Sequence, residues 1–326
     1  MKFSDGYWLN KPGYEINYAC EPYEIHVSDH AIHVVATHDV ITSRGQTLDG
    51  PVLDITFAST LENTIKVTIE HFRGGMEKAP EFQLYEDDGF FPMTVETDEY
   101  AELISGKARV RINKIKGWSI EYYYGDKLLT KEGWRTTSYI TEQPYHTQER
   151  MLAQQNFNRF YADDQDPRPS YMREMLNLSV GESVYGFGEK FTTFVKNGQS
   201  VQIWNGDGGT CSEYSYKSIP FYVSNRGYGV FVNHSEKVEF EVASDTVSKV
   251  SIVVPGEKLQ YFIIGGENIA DVISNYTTLT GKPALPPAYS FGLWLTTSFT
   301  TNYDEKTVSS FIDGMAERNI PLQVFH

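Results

Sequence analysis

Short runs of alternating apolar and polar residues recur through the first 255 residues of the chain. A period of two places every second side chain on one face of an extended strand, so each run predicts a strand with one buried face. Turn residues separate the runs, which favours antiparallel strands over a parallel sheet. Clear examples are Ile65-Lys-Val-Thr-Ile69, Val238-Glu-Phe-Glu-Val242 and Val250-Ser-Ile-Val-Val254.

Two stretches predict β-hairpins. The dipeptide Gly125-Asp126 lies between the aromatic-rich run 118–124 and the run 127–130, and a two-residue loop that begins with glycine is typical of a tight hairpin. A second hairpin with a longer loop is predicted between Phe221 and Val232. Together with the alternating runs, these turns predict a two-sheet antiparallel β-sandwich.

The pattern changes after residue 265, where apolar residues recur at helical spacing. They are Ile269, Val272, Ile273, Tyr276 and Leu279. Gly281 follows where a C-terminal cap belongs and Pro283 lies beyond it, so a helix is predicted to end near residue 280. The Pro-rich segment 281–287 is stiff and is the best candidate for a domain boundary.

Beyond this boundary the sequence predicts a strand, a helix and a second strand. Residues 290–299 form an apolar run with little alternation, as in a strand covered on both faces. Asn302 and Glu305 resemble a capping box that would begin the helix, and Pro321 would end it. The apolar face of the helix comprises Val308, Phe311, Ile312 and Met315, and residues 322–325 begin the next strand. This order is a β-α-β unit, from which parallel sheets and barrels are built.

These patterns divide the chain into a β-sandwich over residues 1–255, a helical and Pro-rich connector over 256–287, and the start of a β/α barrel over 288–326. The last part has about 42 residues counted from Leu285, whereas a complete eight-fold barrel takes about 250. We therefore expect the chain to be the front part of a longer protein. Barrel strands without neighbours are expected either to fray or to associate into a homo-oligomer.

The charge of the chain argues against several classes of partner. There are 28 Lys and Arg residues against 43 Asp and Glu residues, which gives a net charge of −15. Nucleic acids and anionic membrane surfaces both attract clustered basic residues, so neither is an expected partner. No apolar run resembles a signal peptide or reaches the roughly 18 residues of a membrane span, and a soluble cytoplasmic protein is expected.

Metal and cofactor sites are not predicted. The two cysteines, Cys20 and Cys211, make neither a disulfide framework nor a zinc cluster. Four histidines lie at positions 26, 30, 33 and 38, but strand alternation puts His30 and His33 on opposite faces, which favours ordinary polar strand positions over metal ligation. The sequence has no nucleotide-phosphate loop and no catalytic serine elbow, and no cofactor is expected.

The glycine-rich stretch Asn205-Gly-Asp-Gly-Gly-Thr210 is the main candidate site. It lacks the lysine of a phosphate-binding loop, and its aspartate would repel phosphate. One interpretation is a tight turn whose glycines permit positive φ angles. The other is a sugar site, because Asp207 can accept hydrogen bonds from hydroxyl groups while the Trp204 ring covers a C–H face. The residues alone leave both interpretations open.

Several stretches share their order and spacing with one enzyme family. They are Val184-Tyr-Gly-Phe-Gly-Glu-Lys-Phe-Thr192, Lys196–Gln199, Ile203–Thr210, Tyr216–Tyr222, Asn225–Val230, Pro283–Pro287 and Ser290–Glu305, with shorter similarities at Ser4–Trp8 and Glu70–Arg73. Together they resemble glycoside hydrolase family 31, most closely its bacterial α-xylosidase branch. The resemblance covers essentially the whole chain, which makes it more specific than any single motif.

The resemblance implies a mainly β fold, in which a galactose-mutarotase-like β-sandwich is followed by the first β-α-β unit of a (β/α)8 barrel. In that family a loop from the sandwich reaches over the active face of the barrel. The aspartate of its Trp-Asn-x-Asp-Gly-Gly motif shapes the substrate pocket, and Asp207 occupies that position here. The aromatic residue that ends the first barrel strand lines the −1 sugar site, and here it is Phe299. The expected substrate-binding residues are therefore Asp207, Phe299 and Trp204.

The implied function is that of a retaining α-glycosidase. The resemblance points most closely to an α-xylosidase that releases terminal α-linked xylose, or to a related α-glucosidase, acting on an α-xyloside or a small oligosaccharide. Family members use an Asp nucleophile and an Asp acid/base on later barrel strands, beyond His326 of this chain. No catalytic residue is therefore assigned, and the chain alone is expected to be inactive. Two alternatives stay open: a carbohydrate-binding sandwich without catalysis, and an inactive truncation product.

Overall fold

The computed structural model describes residues 1–6, 8–48, 50–74, 80–87, 89–142, 169–206, 212–296 and 302–326. They form two units, Met1–Gly281 and Lys282–His326. In chain order the strands of the larger unit are β1 (Ser4–Asp5), β2 (Leu9–Asn10), β3 (Tyr14–Tyr18), β4 (Glu21–Val27), β5 (Ala31–Thr37), β6 (Val52–Ala58), β7 (Thr64–Glu70), β8 (Met93–Glu96), β9 (Tyr100–Ser105), β10 (Ala108–Asn113), β11 (Ile120–Tyr124), β12 (Lys127–Glu132), β13 (Ser138–Glu142), β14 (Ser170–Asn177), β15 (Val184–Gly188), β16 (Gln199–Ile203), β17 (Ser218–Ser224), β18 (Tyr228–Val232), β19 (Val238–Val242), β20 (Lys249–Pro255) and β21 (Lys258–Gly265). A 3-10 turn spans Arg44–Leu48, and the helix α1 spans Ile269–Thr280.

Three large antiparallel sheets make up the larger unit. The eight-stranded sheet has the order β15-β17-β18-β21-β7-β6-β5-β4, the six-stranded sheet β16-β19-β20-β14-β13-β3, and the five-stranded sheet β12-β11-β10-β9-β8. The strands β1 and β2 form a small separate hairpin. The predicted mainly β fold is confirmed, and the five-stranded sheet is a third sheet beside the predicted pair.

The alternating runs bury one face, as predicted. Their inward residues are at most 1% exposed: Ile65, Val67, Ile69, Val238, Phe240 and Val242. Ile55, Val110 and Ile252, one from each large sheet, belong to the same continuous core. The three sheets are therefore held together by one shared burial of apolar surface, the main favourable term in folding.

Both predicted hairpins are present. The strands β11 and β12 pair around Gly125, whose φ of 56° lies in the left-handed region that glycine adopts readily. The strands β17 and β18 pair up to the facing residues Ser224 and Tyr228, so the loop between them is short.

The β-sandwich extends past the predicted boundary at residue 255. The strand β21 lies within the predicted connector 256–287, yet it pairs with β18 and β7 inside the eight-stranded sheet. Its side chains are buried on both faces: Leu259, Tyr261 and Ile263 in the shared core, and Phe262 and Ile264 in a second cluster with α1. A strand covered on both faces shows no alternation, which is why the sequence pattern gives no sign of it.

The helix α1 covers the outer face of β17, β18 and β21. Val272 and Leu279 are fully buried in this contact. The Tyr276 ring stacks on Phe221 with 3.8 Å between the ring centroids. Gly281 ends the helix with a φ of 104°, as the sequence predicted.

The smaller unit contains a 3-10 turn, Ala288–Phe291, the strands β22 (Trp294–Leu295) and β23 (Val324–Phe325), and the helix α2 (Glu305–Glu317). The two strands pair in parallel, with Trp294 facing Val324, so the predicted β-α-β unit is confirmed. The predicted strand 290–299 is shorter than expected, because its first residues belong to the 3-10 turn. Its end, from residue 297, lies outside the described residues.

The helix α2 begins differently from the prediction. The Asp304 carboxylate caps it by accepting a hydrogen bond from the Thr307 N–H at 2.8 Å, so the predicted capping box of Asn302 and Glu305 is wrong. Asn and Asp are both good N-caps, and the backbone decides which of two nearby candidates precedes the first turn.

A buried cluster of hydrogen bonds lies where the three large sheets meet. Glu132 Oε1 accepts hydrogen bonds from the Tyr122 and Tyr261 hydroxyls at 2.6 and 2.8 Å. Thr137 Oγ1 lies 3.2 Å from Glu132 Oε2 and 2.7 Å from Glu174 Oε2. Glu132 and Glu174 are 3% and 0% exposed, and burial raises the pKa of both carboxyl groups.

The hydrogen bonds of this cluster require one proton on the pair of carboxyl groups, and their neighbours decide which group carries it. The Thr137 hydroxyl has a single hydrogen, and its oxygen already accepts a bond from the Trp118 indole N–H at 2.9 Å. One proton shared between the two carboxyl groups satisfies both contacts with Thr137. Glu174 carries it, because the hydrogen bonds that the Tyr122 and Tyr261 hydroxyls donate to Glu132 favour the ionised form of Glu132. The neighbouring Glu132 carboxylate favours the same assignment, because it adds to the burial that raises the pKa of Glu174.

Glu174→Gln should flatten the pH dependence of stability. The folded state raises the pKa of Glu174, so protonation of this group contributes stability that is fully present below the ordinary carboxyl pKa. That contribution is lost as the pH rises through the raised folded value. In urea unfolding between about pH 4 and 8, the free energy of unfolding should fall less for Glu174→Gln than for the wild type. Glu99→Gln, at an exposed position, is the control, and equal slopes in all three proteins would contradict the assignment.

Leu279→Ala should destabilise the larger unit by about 2–4 kcal/mol, because it opens a cavity between α1 and the eight-stranded sheet. Ile273→Ala on the same helix is the matched control, since Ile273 is 45% exposed, and its expected loss is below about 1 kcal/mol. Chemical denaturation followed by circular dichroism measures both. Equal losses in the two variants would show that α1 does not pack as described.

Candidate functional site

The glycine-rich loop predicted as a candidate site leaves the six-stranded sheet after β16 and returns at β17 of the eight-stranded sheet. Trp204, directly after β16, is 53% exposed. Asp207 and Phe299, the other two predicted substrate-binding residues, lie outside the described residues. Of the predicted site, the structure therefore describes Trp204 and the two ends of the loop, at residues 206 and 212.

Three consecutive residues with positive φ angles bring a second segment against the loop. Gly186, Phe187 and Gly188 have φ angles of 117°, 69° and 81°, and the pairing of β15 with β17 shifts its register there. A Cβ atom on Gly188 would lie 1.8 Å from the Lys217 carbonyl oxygen, so only glycine permits this approach. The Glu189 N–H then donates to the same carbonyl at 2.9 Å. The backbone itself therefore holds the segment after β15 at the end of the loop.

Lys190 ties the two ends of the loop together. Its Nζ donates to the Gln202 carbonyl and to Ser218 Oγ, both at 2.7 Å. Ser218 Oγ donates in turn to the Trp204 carbonyl at 3.2 Å, and the Ser218 N–H donates to Asn205 Oδ1 at 3.3 Å. Burial lowers the pKa of Lys190. These bonds fix the backbone on both sides of the glycine-rich loop.

A second lysine supports the neighbouring segment 191–195. Lys196 is 4% exposed, and its Nζ donates to Thr192 Oγ1 at 2.9 Å and to the Thr193 carbonyl at 2.8 Å. Burial lowers the pKa of this lysine too. Gln199 Nε2 donates to the carbonyl of Val195 at 2.7 Å. The backbone of this segment is thus anchored although several of its side chains face solvent.

Exposed aromatic rings are concentrated in these anchored segments. Phe191, Phe194, Trp204 and Tyr216 are 57%, 80%, 53% and 66% exposed. Exposed rings on an anchored backbone offer apolar faces that suit packing against the C–H face of a sugar or against another part of the protein. Of the four, the sequence analysis singled out only Trp204.

The sequence analysis also missed the anchors of the loop. Lys190 and Ser218 fall within the stretches 184–192 and 216–222 that carry the family resemblance, but neither residue type signals a structural contact. Lysine is mostly a surface residue, and the partners of Lys190 become its neighbours only through strand pairing. The only sequence signal that could have pointed to Lys190 and Ser218 is that the stretches resembling the family lie on both sides of the loop.

The histidines of the first strands do not gather into a metal site. His26 and His33 face each other across β4 and β5, with 6.2 Å between the ring centroids. Within the ranges that the structure describes, no group of three or more His, Cys, Asp or Glu residues is placed to hold a metal ion. No helix in those ranges combines the length and the apolar character needed to cross a membrane.

Two family models match the chain. The glycosyl hydrolase 31 N-terminal galactose mutarotase-like domain matches residues 53–241, and the glycosyl hydrolases family 31 TIM-barrel domain matches residues 283–326. These matches confirm the predicted galactose-mutarotase-like sandwich and the start of the barrel.

Two curated relatives align with the whole chain. The α-xylosidase XylQ of Lactiplantibacillus pentosus is 42% identical over 326 residues, which are 100% of this chain and 40% of the relative. The α-xylosidase of Emericella nidulans is 40% identical, over 100% of this chain and 41% of the relative. The chain therefore spans about 40% of the length of these relatives.

Solved structures share the fold. The cycloalternan-forming enzyme from Listeria monocytogenes has a TM-score of 0.72 at 20% identity, over 96% of this chain and 27% of that one. The GH31 α-xylosidase from a soil metagenome, complexed with xylose, has a TM-score of 0.65 at 16% identity, over 93% of this chain and 41% of that one. These structures show the fold, and the two family models together with the two relatives show the family: the chain belongs to glycoside hydrolase family 31.

Proposed function

We propose that this chain is the β-sandwich and barrel start of a retaining α-xylosidase, an enzyme that releases terminal α-linked xylose. The observation that carries the proposal is the match along the whole chain to two proteins named α-xylosidases, at 42% and 40% identity. Two relatives from Saccharolobus solfataricus align only in part: the α-glucosidase is 32% identical over 43% of this chain, and the α-xylosidase is 31% identical over 47%. The proposed preference for xylosides therefore rests on the two relatives that align with the whole chain.

The proposed role of this chain is to position the substrate. The loop after Trp204 would present the Asp207 carboxylate to sugar hydroxyl groups, with the indole covering an apolar sugar face. Phe299, at the end of the first barrel strand, would line the −1 subsite. The anchoring of the loop ends by Lys190 supports this role, because a positioning group must be held in place before the substrate binds.

The chemistry itself would be supplied by residues beyond His326. A retaining mechanism uses two carboxyl groups about 5–5.5 Å apart, one as nucleophile and one as acid and base, and needs no cofactor. We place both aspartates on later barrel strands, in line with the family resemblance. The substrate would be an α-xyloside or a small oligosaccharide that carries one.

Asp207→Ala, in the protein translated from the gene through its natural stop codon, should lower kcat/KM for p-nitrophenyl α-xyloside about 100-fold, because the sugar loses a fixed hydrogen-bond acceptor. Asp126→Ala, in the exposed β11–β12 turn, is the matched control and should leave kcat/KM unchanged. The wild type should prefer the α-xyloside over p-nitrophenyl α-glucoside. A preference for the glucoside, or turnover by the 326-residue chain alone, would contradict the proposal.

Lys190→Met should loosen the loop ends in the 326-residue chain. It removes the donor that serves the Gln202 carbonyl and Ser218 Oγ, and leaving these half-buried acceptors without it costs about 1 kcal/mol. Amide hydrogen exchange at Ser218 should become several-fold faster. Lys217→Met, at the exposed neighbouring lysine, is the control. Unchanged protection at Ser218 would show that Lys190 does not hold the loop.

A further inference from the structure

Two exposed tryptophans lie side by side on the β-sandwich, although they are far apart in the sequence. Trp8 is in the turn between β1 and β2, and Trp134 is in the connection between β12 and β13. They are 69% and 56% exposed. Their ring centroids are 5.8 Å apart and the ring planes are tilted by 54°. Neighbouring indoles this exposed are uncommon, because large aromatic side chains normally contribute to the core or to an interface.

The Trp8–Trp134 pair is held in place by a series of stacked cations and rings. The Arg135 guanidinium lies 4.8 Å from the Trp134 ring centroid and 5.1 Å from that of Tyr18. The guanidinium of Arg173, which is 2% exposed, lies 5.4 Å from the centroid of Tyr18. Arg135 Nη1 also donates to the Trp8 carbonyl at 3.4 Å. The exposed rings are therefore connected to the buried part of the sheet and are ordered before any ligand arrives.

The turn that carries this pair is strained. Arg135 has a φ of 60°, in the left-handed region that a residue with a side chain adopts only when its surroundings impose it. Thr136 imposes it here, since its hydroxyl accepts from the Gly133 N–H at 3.1 Å and donates to the Gly133 carbonyl at 2.7 Å. Glycine would adopt this φ angle without strain. An arginine at position 135 therefore raises the backbone energy of the folded state in exchange for its guanidinium group.

The pair lies far from the glycine-rich loop. The loop follows β16 and Tyr18 ends β3, and these are the two outer strands of the six-stranded sheet. Five strand spacings of about 4.8 Å separate them, which is about 24 Å across the sheet. All neighbours in this sheet are antiparallel, so its first and sixth strands run in opposite directions and their C-terminal ends lie at opposite ends of the sheet. The pair is therefore separate from the site around Trp204.

We propose that the Trp8–Trp134 pair, with Arg135 and Tyr18, is a second carbohydrate-binding site that holds a neutral pyranose chain. Two adjacent, preordered indole faces match two consecutive sugar rings, whose C–H faces pack on aromatic rings. The Arg135 guanidinium, beside them, donates hydrogen bonds of the kind that sugar hydroxyls accept. A net charge of −15 disfavours an anionic ligand. The inference does not depend on which glycoside the enzyme cleaves.

The size of the surface favours an oligosaccharide over a second copy of the chain. At the observed exposures the two indoles offer at most about 300 Å² of ring surface. A stable protein interface needs about 800 Å² from each partner. A sugar chain of two or three residues needs only the rings and the donors next to them.

The test is binding of a xyloglucan oligosaccharide to the 326-residue chain, measured by isothermal titration calorimetry and by tryptophan fluorescence. Trp8→Ala and Trp134→Ala should each weaken binding about tenfold or more. Tyr23→Ala, at another exposed aromatic residue on β4, is the matched control and should bind like the wild type. Trp204→Ala should also leave this binding unchanged, because Trp204 belongs to the other site.

Arg135→Gly separates binding from folding. It relieves the left-handed strain, so the unfolding midpoint should not fall, while binding should weaken because the guanidinium is gone. Wild-type binding in both tryptophan variants, or no binding of the oligosaccharide to the wild type, would overturn the proposal. A wild-type dimer in sedimentation that both tryptophan variants abolish, without sugar binding, would overturn it in favour of a contact between copies.

Discussion

The three large sheets have to share a single core, and the hydrogen-bonded cluster around Glu132 lies where they meet. Tyr122 comes from the five-stranded sheet, Tyr261 from the eight-stranded sheet and Glu174 from the six-stranded sheet. Apolar burial holds the sheets together but has no direction, whereas hydrogen bonds to a buried carboxylate do. The cluster can therefore fix how the sheets are oriented on each other, and the strand ends that carry both candidate sites depend on that orientation.

The sequence predicted those strands that bury one face and missed the one that buries two. Alternation identified β7 and β19, whose inward residues are in the core. The same logic fails for β21, because α1 covers its outer face and both sets of side chains are apolar. The apolar run at 290–299 looked similar and yet begins with a 3-10 turn, since short apolar runs do not distinguish strands from other buried or interface segments.

The chemistry of the residues alone predicted only those residues of the candidate site that lie next to one another in the chain. Trp204 could be picked out because an aromatic residue beside an acidic, glycine-rich loop suits a sugar. Lys190 could not, because its role arises from contacts with Gln202 and Ser218 that strand pairing creates. The Trp8–Trp134 pair was hidden for the same reason, since the two residues become neighbours only when the β1–β2 hairpin and the β12–β13 turn come together.

The contact between Gly188 and the Lys217 carbonyl makes the base of the glycine-rich loop a main-chain structure. The bonded atoms are the Glu189 N–H and the Lys217 carbonyl, so side-chain changes in the loop beyond Asn205, whose Oδ1 accepts from the Ser218 N–H, need not alter this contact. The residues of such a loop can be replaced while the backbone contact at its base is kept. On the proposed role of the loop, divergence between enzymes, or deliberate grafting of a loop from a relative, would change the residues that face the sugar while the contact between Gly188 and Lys217 stays the same.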